Sequence, residues 1–319
     1  MDLNGIVQQS SILDYGAAGS PIGLLPTLAA DAWFHKRVTV SPAPANLPAF
    51  VKQVVKFAQE RYPQALRDYP KVDPHVLKPL SDMLGIPEIV LQYWQLNPSS
   101  NNTIFLSSLL QDEELAIGAY DGRVTGEDDG IAGSIDPNSG GNDPTMTAVG
   151  GVYTAMWNVY LNDELKFTST SPFTDLNDQA FADWDFAHID PTGAQRGGPE
   201  SLYTAGDLAA AMSINPYLKV FSANGYYDAV TPFFQTLMTF EAMPVSSPSD
   251  LARLTVHNYP SGHMVYLDNP SRTAMKADLA EFYGSATATP ATRAQKRPLK
   301  DTEVRSQSRY RRRMSRTPY

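Results

Sequence analysis

The chain has 319 residues, 42% hydrophobic and 18% charged, with a net charge of −9 and no cysteine. That length suits one large domain or two ordinary ones. The missing cysteines exclude disulfides, thiolate nucleophiles and Cys-ligated zinc. No apolar run reaches the roughly 18 residues that a membrane-spanning helix needs, so no membrane partner is expected. The start, Met1-Asp2-Leu3-Asn4-Gly5, has neither the basic region nor the apolar stretch of a secretory signal.

The net charge hides a split. Ala291 to Tyr319 holds ten Lys/Arg and two Asp/Glu, a balance of +8, which leaves −17 on residues 1–290. An acidic body should repel nucleic acid and anionic lipid. The Tyr310-Arg311-Arg312-Arg313 cluster could grip phosphate, but such a tail reads first as a solvated end, so nucleic acid is not an expected partner.

In chain order, Leu3 to Leu13 is short and apolar and predicts a strand running into a loop. A complete domain seldom opens on a strand with two residues before it. Residues 27–120 predict mostly helix. Thr27 to Phe34 is Ala-rich. Val54, Val55, Phe57, Ala58 and Tyr62 follow Leu47-Pro48 at helical spacing. His75 to Leu84 ends at Gly85, and Ile86 to Trp94 carries Pro87 near its start. Gly118 to Asp143 is rich in Gly and acid and reads as loop. Tyr153 to Leu161 is a short apolar segment, and residues 168–200 read as loop.

The last third changes character. Ala205 to Ser213 predicts a helix. Leu218 to Ala223 predicts a buried strand that stops at Asn224-Gly225. Thr231-Pro232 predicts a helix start, with a hydroxyl cap and a proline at the first position, running to about Ala242. Leu251 to Tyr259 predicts a second strand, and Asn269-Pro270 opens a last helix through Phe282, with Gly284 at its end. Strand, helix, strand, helix implies a parallel sheet covered by helices, with reactive residues in the loops at the carboxyl ends of the strands. Beyond Gly284 the composition predicts a disordered basic tail.

Asp228 and His263 fall just after those two strands, in Asn224-Gly225-Tyr226-Tyr227-Asp228 and Ser261-Gly262-His263-Met264. Adjacent parallel strands would bring both to one edge. An Asp there can hold one imidazole nitrogen, so the other can take a proton from a hydroxyl. The plainer alternative is an Asp that caps a turn and a His that fills a loop.

The surrounding residues favour the first. Phe221 to Pro232 (FSANGYYDAVTP) and Tyr259 to Tyr266 (YPSGHMVY) resemble the Asp and His motifs of the bacterial branch of the serine carboxypeptidase family. Leu25-Pro26, Ala29-Ala30, Ala32-Trp33 and His35 resemble an upstream segment of that branch, and Gly118-Ala119-Tyr120-Asp121-Gly122-Arg123 resembles its Gly, Asp, Arg loop. These matches are scattered from residue 1 to about 283. The resemblance implies an α/β-hydrolase fold with a helical cap-type insertion. It implies hydrolysis of C-terminal peptide bonds through an acyl-enzyme, with Asp228 orienting His263 as general base, a peptide as partner, and no cofactor or metal. Members are generally exported. The implied organisation is 1–26 as strand and loop of the core, 27–204 as insertion, 205–284 as core carrying Asp228 and His263, and 285–319 as disordered tail.

One feature departs from the pattern. The family's nucleophile is the Ser of Gly-x-Ser-x-Gly, and no serine here has Gly at both −2 and +2. Ser139 has Gly141 after it but Pro137 before it. In the family, the nucleophile, the oxyanion-hole donors and the residues holding the substrate carboxylate lie N-terminal to the strand that Leu3–Leu13 resembles. The chain is therefore expected to be an incomplete α/β-hydrolase, inactive alone. It should pair with the missing N-terminal half, or self-associate, through an exposed sheet edge. The alternative is a non-catalytic remnant or binding protein.

Other candidates carry less. Asp121, Glu127, Asp128, Asp129, Asp136 and Asp143 could ligate calcium, but Asp136, Asn138 and Gly141 fit the EF-hand spacing while Gly140 and Thr147 break it, so a solvated acidic loop is expected. His35 reads as packed, His75 as a surface or capping residue, His188 beside Asp185 and Asp190 as a surface site, and His257 as structural. Trp94, Trp157 and Trp184 could line a cleft, although core packing is the default for such residues.

Overall fold

A computed structural model describes residues 3–99, 104–128, 143–171, 174, 177–191, 195–196, 201–245 and 247–287. The chain is mixed α/β, with a small parallel sheet and many helices. Strand β1 (Gly5–Gln9) leads into α1 (Pro21–Phe34), α2 (Leu47–Glu60), α3 (Tyr62–Asp68), α4 (Pro74–Leu84), α5 (Glu88–Tyr93) and α6 (Phe105–Ser108). A small hairpin, β2 (Leu115–Ile117) and β3 (Thr125–Glu127), precedes α7 (Pro144–Val159), α8 (Asp178–Ala182) and the short pair β4 (His188–Ile189) and β5 (Gln195–Arg196). The last third is α9 (Ala205–Ile214), β6 (Lys219–Gly225), α10 (Phe233–Ala242), α11 (Pro248–Leu251), β7 (Leu254–Tyr259) and α12 (Asn269–Thr287).

Capping residues explain where the helices start. The Ser20 hydroxyl accepts from Gly23 N, with Pro21 opening α1. Asn46 and Asp73 do the same for α2 and α4 at 3.0 and 2.8 Å. Gly85 ends α4 at φ 65°, where a side chain would be strained. Helix α1 is buried from Gly23 to Ala32, so it needs no polar stripe. It packs on α2, α4 and α10. One hydrophobic core therefore joins the helical segment to Tyr227, Phe233 and Phe234 from the last third.

The larger sheet has the order β1-β6-β7, all parallel. Side chains alternate across β6, as the period of two requires. Val220 packs with α9 and Phe240, whereas Phe221 and Ala223 pack with Phe282 of α12. Strand β1 has a neighbour on one side only among the described residues. Among those residues no helix is long and apolar enough to cross a membrane.

Several boundaries differ from the sequence expectation. Helix α1 begins at Pro21, inside the stretch read as strand and loop. Thr125–Glu127 is a strand, because it closes a hairpin on Leu115–Ile117. Asp178–Ala182 forms a short helix capped by Asn177 inside the stretch read as loop. Strand β6 runs through Asn224-Gly225, since the ladder to Asn258 and Tyr259 continues there. The second strand starts at Leu254 rather than Leu251, because Leu251 closes the helix turn Pro248–Leu251 that Ser247 caps. Helix α12 passes Gly284 and reaches Thr287, with Ala286 buried near Gly5. Gly284 has open space around it and makes no turn. From residue 288 the basic tail lies outside the described residues.

Two loops leave the sheet in contact. A Cβ at Gly225 would lie 2.3 Å from the carbonyl oxygens of both Ser261 and Gly262, so only glycine fits without moving main chain. Gly225→Ala is expected to cost roughly 1–3 kcal/mol, as overpacking does. A urea midpoint unchanged from wild type would contradict this.

Candidate functional site

Asp228 and His263 sit at the carboxyl ends of β6 and β7. Parallel pairing at Gly225↔Tyr259 sends both loops out of the same sheet edge. Tyr226 N donates to Tyr259 O at 2.9 Å and Tyr227 N to Ser261 O at 3.1 Å. His263 Nδ1 lies 3.0 Å from Asp228 Oδ2. Asp228 is fully buried and His263 is partly exposed.

The Asp228 carboxylate is held on every side. Its Oδ1 accepts from Val230 N at 3.0 Å and Thr231 N at 2.8 Å. Its Oδ2 accepts from the Thr231 hydroxyl and faces the imidazole. Thr231 is thus not the hydroxyl cap of α10. That helix starts at Phe233 with Pro232 before it, and the Thr231 hydroxyl is committed to Asp228. A buried carboxylate with that many donors competes better for the hydroxyl than a helix end does.

The imidazole is fixed from the main chain as well. His263 N donates to Tyr120 O at 2.7 Å, and the Ser10 hydroxyl donates to His263 O at 2.6 Å. The Tyr120 ring meets the imidazole edge-on, with centroids 5.3 Å apart. Burial by itself would lower the His263 pKa. The Asp228 charge and hydrogen bond outweigh it and hold the ring above its ordinary 6.5. A base so placed can take a proton at Nε2 while Asp228 stabilises the resulting imidazolium.

Arg123 ties the surrounding loops together. Its Nε and Nη2 donate to both oxygens of Asp121, at 2.9 and 2.7 Å. Its Nη1 donates to Pro260 O at 2.8 Å and to Asp268 Oδ1 at 3.1 Å. The guanidinium also stacks over Tyr227, 5.1 Å from the ring centroid. One side chain thereby links the β2–β3 hairpin with the loops after β6 and β7. Such planar, forked bonding is specific to arginine.

Behind this cluster lies Asp31 of α1. It is fully buried, and neither carboxylate oxygen has a hydrogen-bond partner among the described residues. A Cβ at Gly122 would lie 2.1 Å from its Oδ1, so Gly122 is what lets the hairpin close over it. Burial, then the charges of Asp121 and Asp228, push its pKa well above the ordinary 3.8, and Arg123 pulls the other way. The neutral form of the carboxyl is favoured.

The remaining sequence candidates scatter. His35 bonds Gly122 O through Nε2 at 2.7 Å. His75 lies in the first turn of α4, where Asp73 caps its N–H. His188 pairs with Asp207 at 2.9 Å across sequence, rather than with the nearby Asp185. His257 pairs with Asp278 and stacks on Phe221. Asp121 serves Arg123, and Asp143 caps α7 while also accepting from Ala119 N. Asp129, Asp136, Asn138, Ser139, Gly140 and Gly141 lie outside the described residues. Trp94 is buried in the core, whereas Trp157 and Trp184 are exposed. A cavity of about 290 Å³ lined by Trp157, Leu161, Phe167 and nearby polar residues contains neither Asp228 nor His263.

The sequence reading missed Thr231, Ser10 and Asp31. Thr231 is three residues after Asp228, but it stood before a proline and read as a cap. Asp31 was visible as one acid in an apolar run. No protein-family model, curated protein or solved structure matches the chain.

Two outcomes are expected. In an NMR titration His263 titrates above 6.5, and Asp228→Asn drops it below 6.5, because burial then acts alone. A midpoint unmoved by Asp228→Asn would contradict the pairing. The second concerns Asp31, whose folded-state pKa is raised. Its stability contribution is complete below 3.8 and is lost as pH rises through the raised folded value. Asp31→Asn is therefore expected to flatten the fall of the urea midpoint between acid and neutral pH. An unaltered slope would rule out Asp31 as its source.

Proposed function

We propose that this chain supplies the acid–base half of a serine carboxypeptidase-like site on an α/β-hydrolase core. His263 is the general base, Asp228 fixes its tautomer, and the substrate is a peptide cleaved at its C-terminal bond. The observation that carries the reading is the 3.0 Å contact between His263 Nδ1 and a fully buried Asp228 Oδ2, at the carboxyl ends of adjacent parallel strands. The resemblance of the segments around both residues supplies the reaction class. Asp228 precedes His263 in the chain, each after a strand of the same parallel sheet, with α10, α11 and β7 between them, and Asp before His is the order those hydrolases use.

The nucleophile is a serine outside this sequence. No Gly-x-Ser-x-Gly exists in the 319 residues. Ser10, the serine at the end of β1, has the positive φ of 47° that a strained turn would give. Its hydroxyl, however, is spent on the main-chain carbonyl of His263, and no Gly flanks it at either required position. A strand joined to β1 through one helix would pair beside it in parallel. One side of β1 is taken by β6, so the other is where a nucleophile strand would add. Attack by that serine would transfer its proton to His263 Nε2 and form an acyl-enzyme. Water would then be activated by the same nitrogen to release the product.

The absence of that serine motif also favours a second reading, a non-catalytic binding protein. Fluorophosphonate labelling separates the two. The chain alone is expected to stay unlabelled and not to cleave blocked dipeptides. Adding a segment that carries Gly-x-Ser-x-Gly and the preceding strand should give labelling on that serine, and His263→Ala should abolish the restored hydrolysis. Loss of the nucleophile–base unit costs about six orders of magnitude in turnover. Labelling of a serine within this chain would refute the external nucleophile, and hydrolysis unaffected by His263→Ala would refute the base.

A further inference from the structure

We propose that Thr231 is a positioning residue of the Asp228–His263 pair, whose hydroxyl clamps the carboxylate oxygen that faces the ring and shares the Nδ1 proton. This inference rests on the reading of His263 as a general base and deepens it.

Three contacts converge on one small volume. Thr231 Oγ1 bonds Asp228 Oδ2, His263 Nδ1 lies 3.0 Å from that oxygen, and Nδ1 lies 3.3 Å from Thr231 Oγ1. Thr231 and Asp228 are both buried, so water does not serve in place of these bonds. Only one arrangement of protons satisfies all three. A carboxylate has no proton to give, so the hydroxyl donates to Oδ2. If Nδ1 were bare, it would face two oxygens whose protons were absent or already used. Nδ1 therefore carries the hydrogen. It points into a fork made by Oδ2 and the remaining lone pair of Oγ1. Nε2 is then the basic atom.

The two carboxylate oxygens are held differently. Oδ1 is fixed by two backbone N–H groups, at 3.0 and 2.8 Å. Among the described residues Oδ2 has the hydroxyl and the imidazole alone. Without the hydroxyl, the oxygen that orients the ring loses its one donor apart from the ring itself. The Thr231 backbone still holds Oδ1, so the turn itself does not need the hydroxyl.

The test reads the Nδ1 proton of His263 directly, by low-field proton and ring ¹⁵N NMR on the purified chain at acid and neutral pH. The wild type is expected to show a protected Nδ1–H resonance and the Nδ1–H tautomer when neutral. Thr231→Val removes the hydroxyl and keeps the shape. It is expected to lose the resonance to exchange and to mix the tautomers. Thr231→Ser keeps the hydroxyl and drops the methyl, and it is expected to keep the resonance, which a merely packing role for threonine would not explain. If the valine variant does not fold, Thr231→Cys takes its place, with a weaker donor of similar size and the same expected loss. A resonance retained in the folded Val or Cys variant, or lost in the Ser variant, overturns the role of Thr231 while leaving the base in place. A resonance absent from the wild type, or unmoved by Asp228→Asn, overturns the reading of the pair itself.

Discussion

Parallel pairing of β6 with β7 forces both chains to leave the sheet at one edge, and the contact of Gly225 with the Ser261 and Gly262 carbonyls sets how near the two loops lie. A side chain at 225 would push the loops apart before any polar contact formed. Once they are close, Tyr226 and Tyr227 bond across to Tyr259 and Ser261, and Asp228 reaches His263. Arg123 then crosses from the hairpin and holds the arrangement from outside, through Asp121, Pro260, Asp268 and the Tyr227 face. The site is thus built by close packing of main chain first and by charge second. Backbone is costly to move, so the Asp228–His263 contact rests on a fixed frame.

Local chemistry made much of this legible. Asp228 and His263 follow apolar runs bounded by Asn-Gly and Pro-Ser-Gly, and such runs end as strands whatever surrounds them. The misjudged positions are those where tertiary contact competes with a local rule. Thr231 before Pro232 has the pattern of a cap, but a buried carboxylate three residues earlier claims its hydroxyl. Gly284 has the pattern of a helix end, yet the helix continues, and Ala286 is buried where it packs near Gly5. Thr125–Glu127 looks like polar loop and becomes a strand because Leu115–Ile117 is available beside it. Asp31 is the extreme case. Its burial depends on Gly122, which is 91 residues away in sequence.

The rest of the surface bears on the surroundings of His263. Helix α7 is anchored at its start, where Asp143 and Thr145 are buried against the Gly118–Asp121 turn. Beyond that it presents Val152, Tyr153, Met156 and Trp157 to solvent. Val7 of β1 and Leu3 just before it are exposed, and among the described residues β1 has a strand neighbour on one side only. Both features lie on elements tied to the His263 loop: β1 through Ser10, and the turn before α7 through Tyr120. Anything that covered them would touch the surroundings of the imidazole without needing to move it.

Charge accounting explains why Asp31 matters to Asp228. Asp121 and Asp268 bond the Arg123 guanidinium, and Asp31 feels the charges of Asp121, Asp228 and Arg123. Arg123 is used by Asp121 and Asp268. Asp228 is supplied by two N–H groups, a hydroxyl and the imidazole. Asp31 has no hydrogen-bond donor among the described residues, so burial and the charges of Asp121 and Asp228 raise its pKa against Arg123 alone. Were it ionised, its charge would repel those of Asp121 and Asp228, the same repulsion that raises its own pKa. A carboxyl buried on α1 is in this way coupled to Asp228 by charge, although no hydrogen bond joins it to the pair among the described residues.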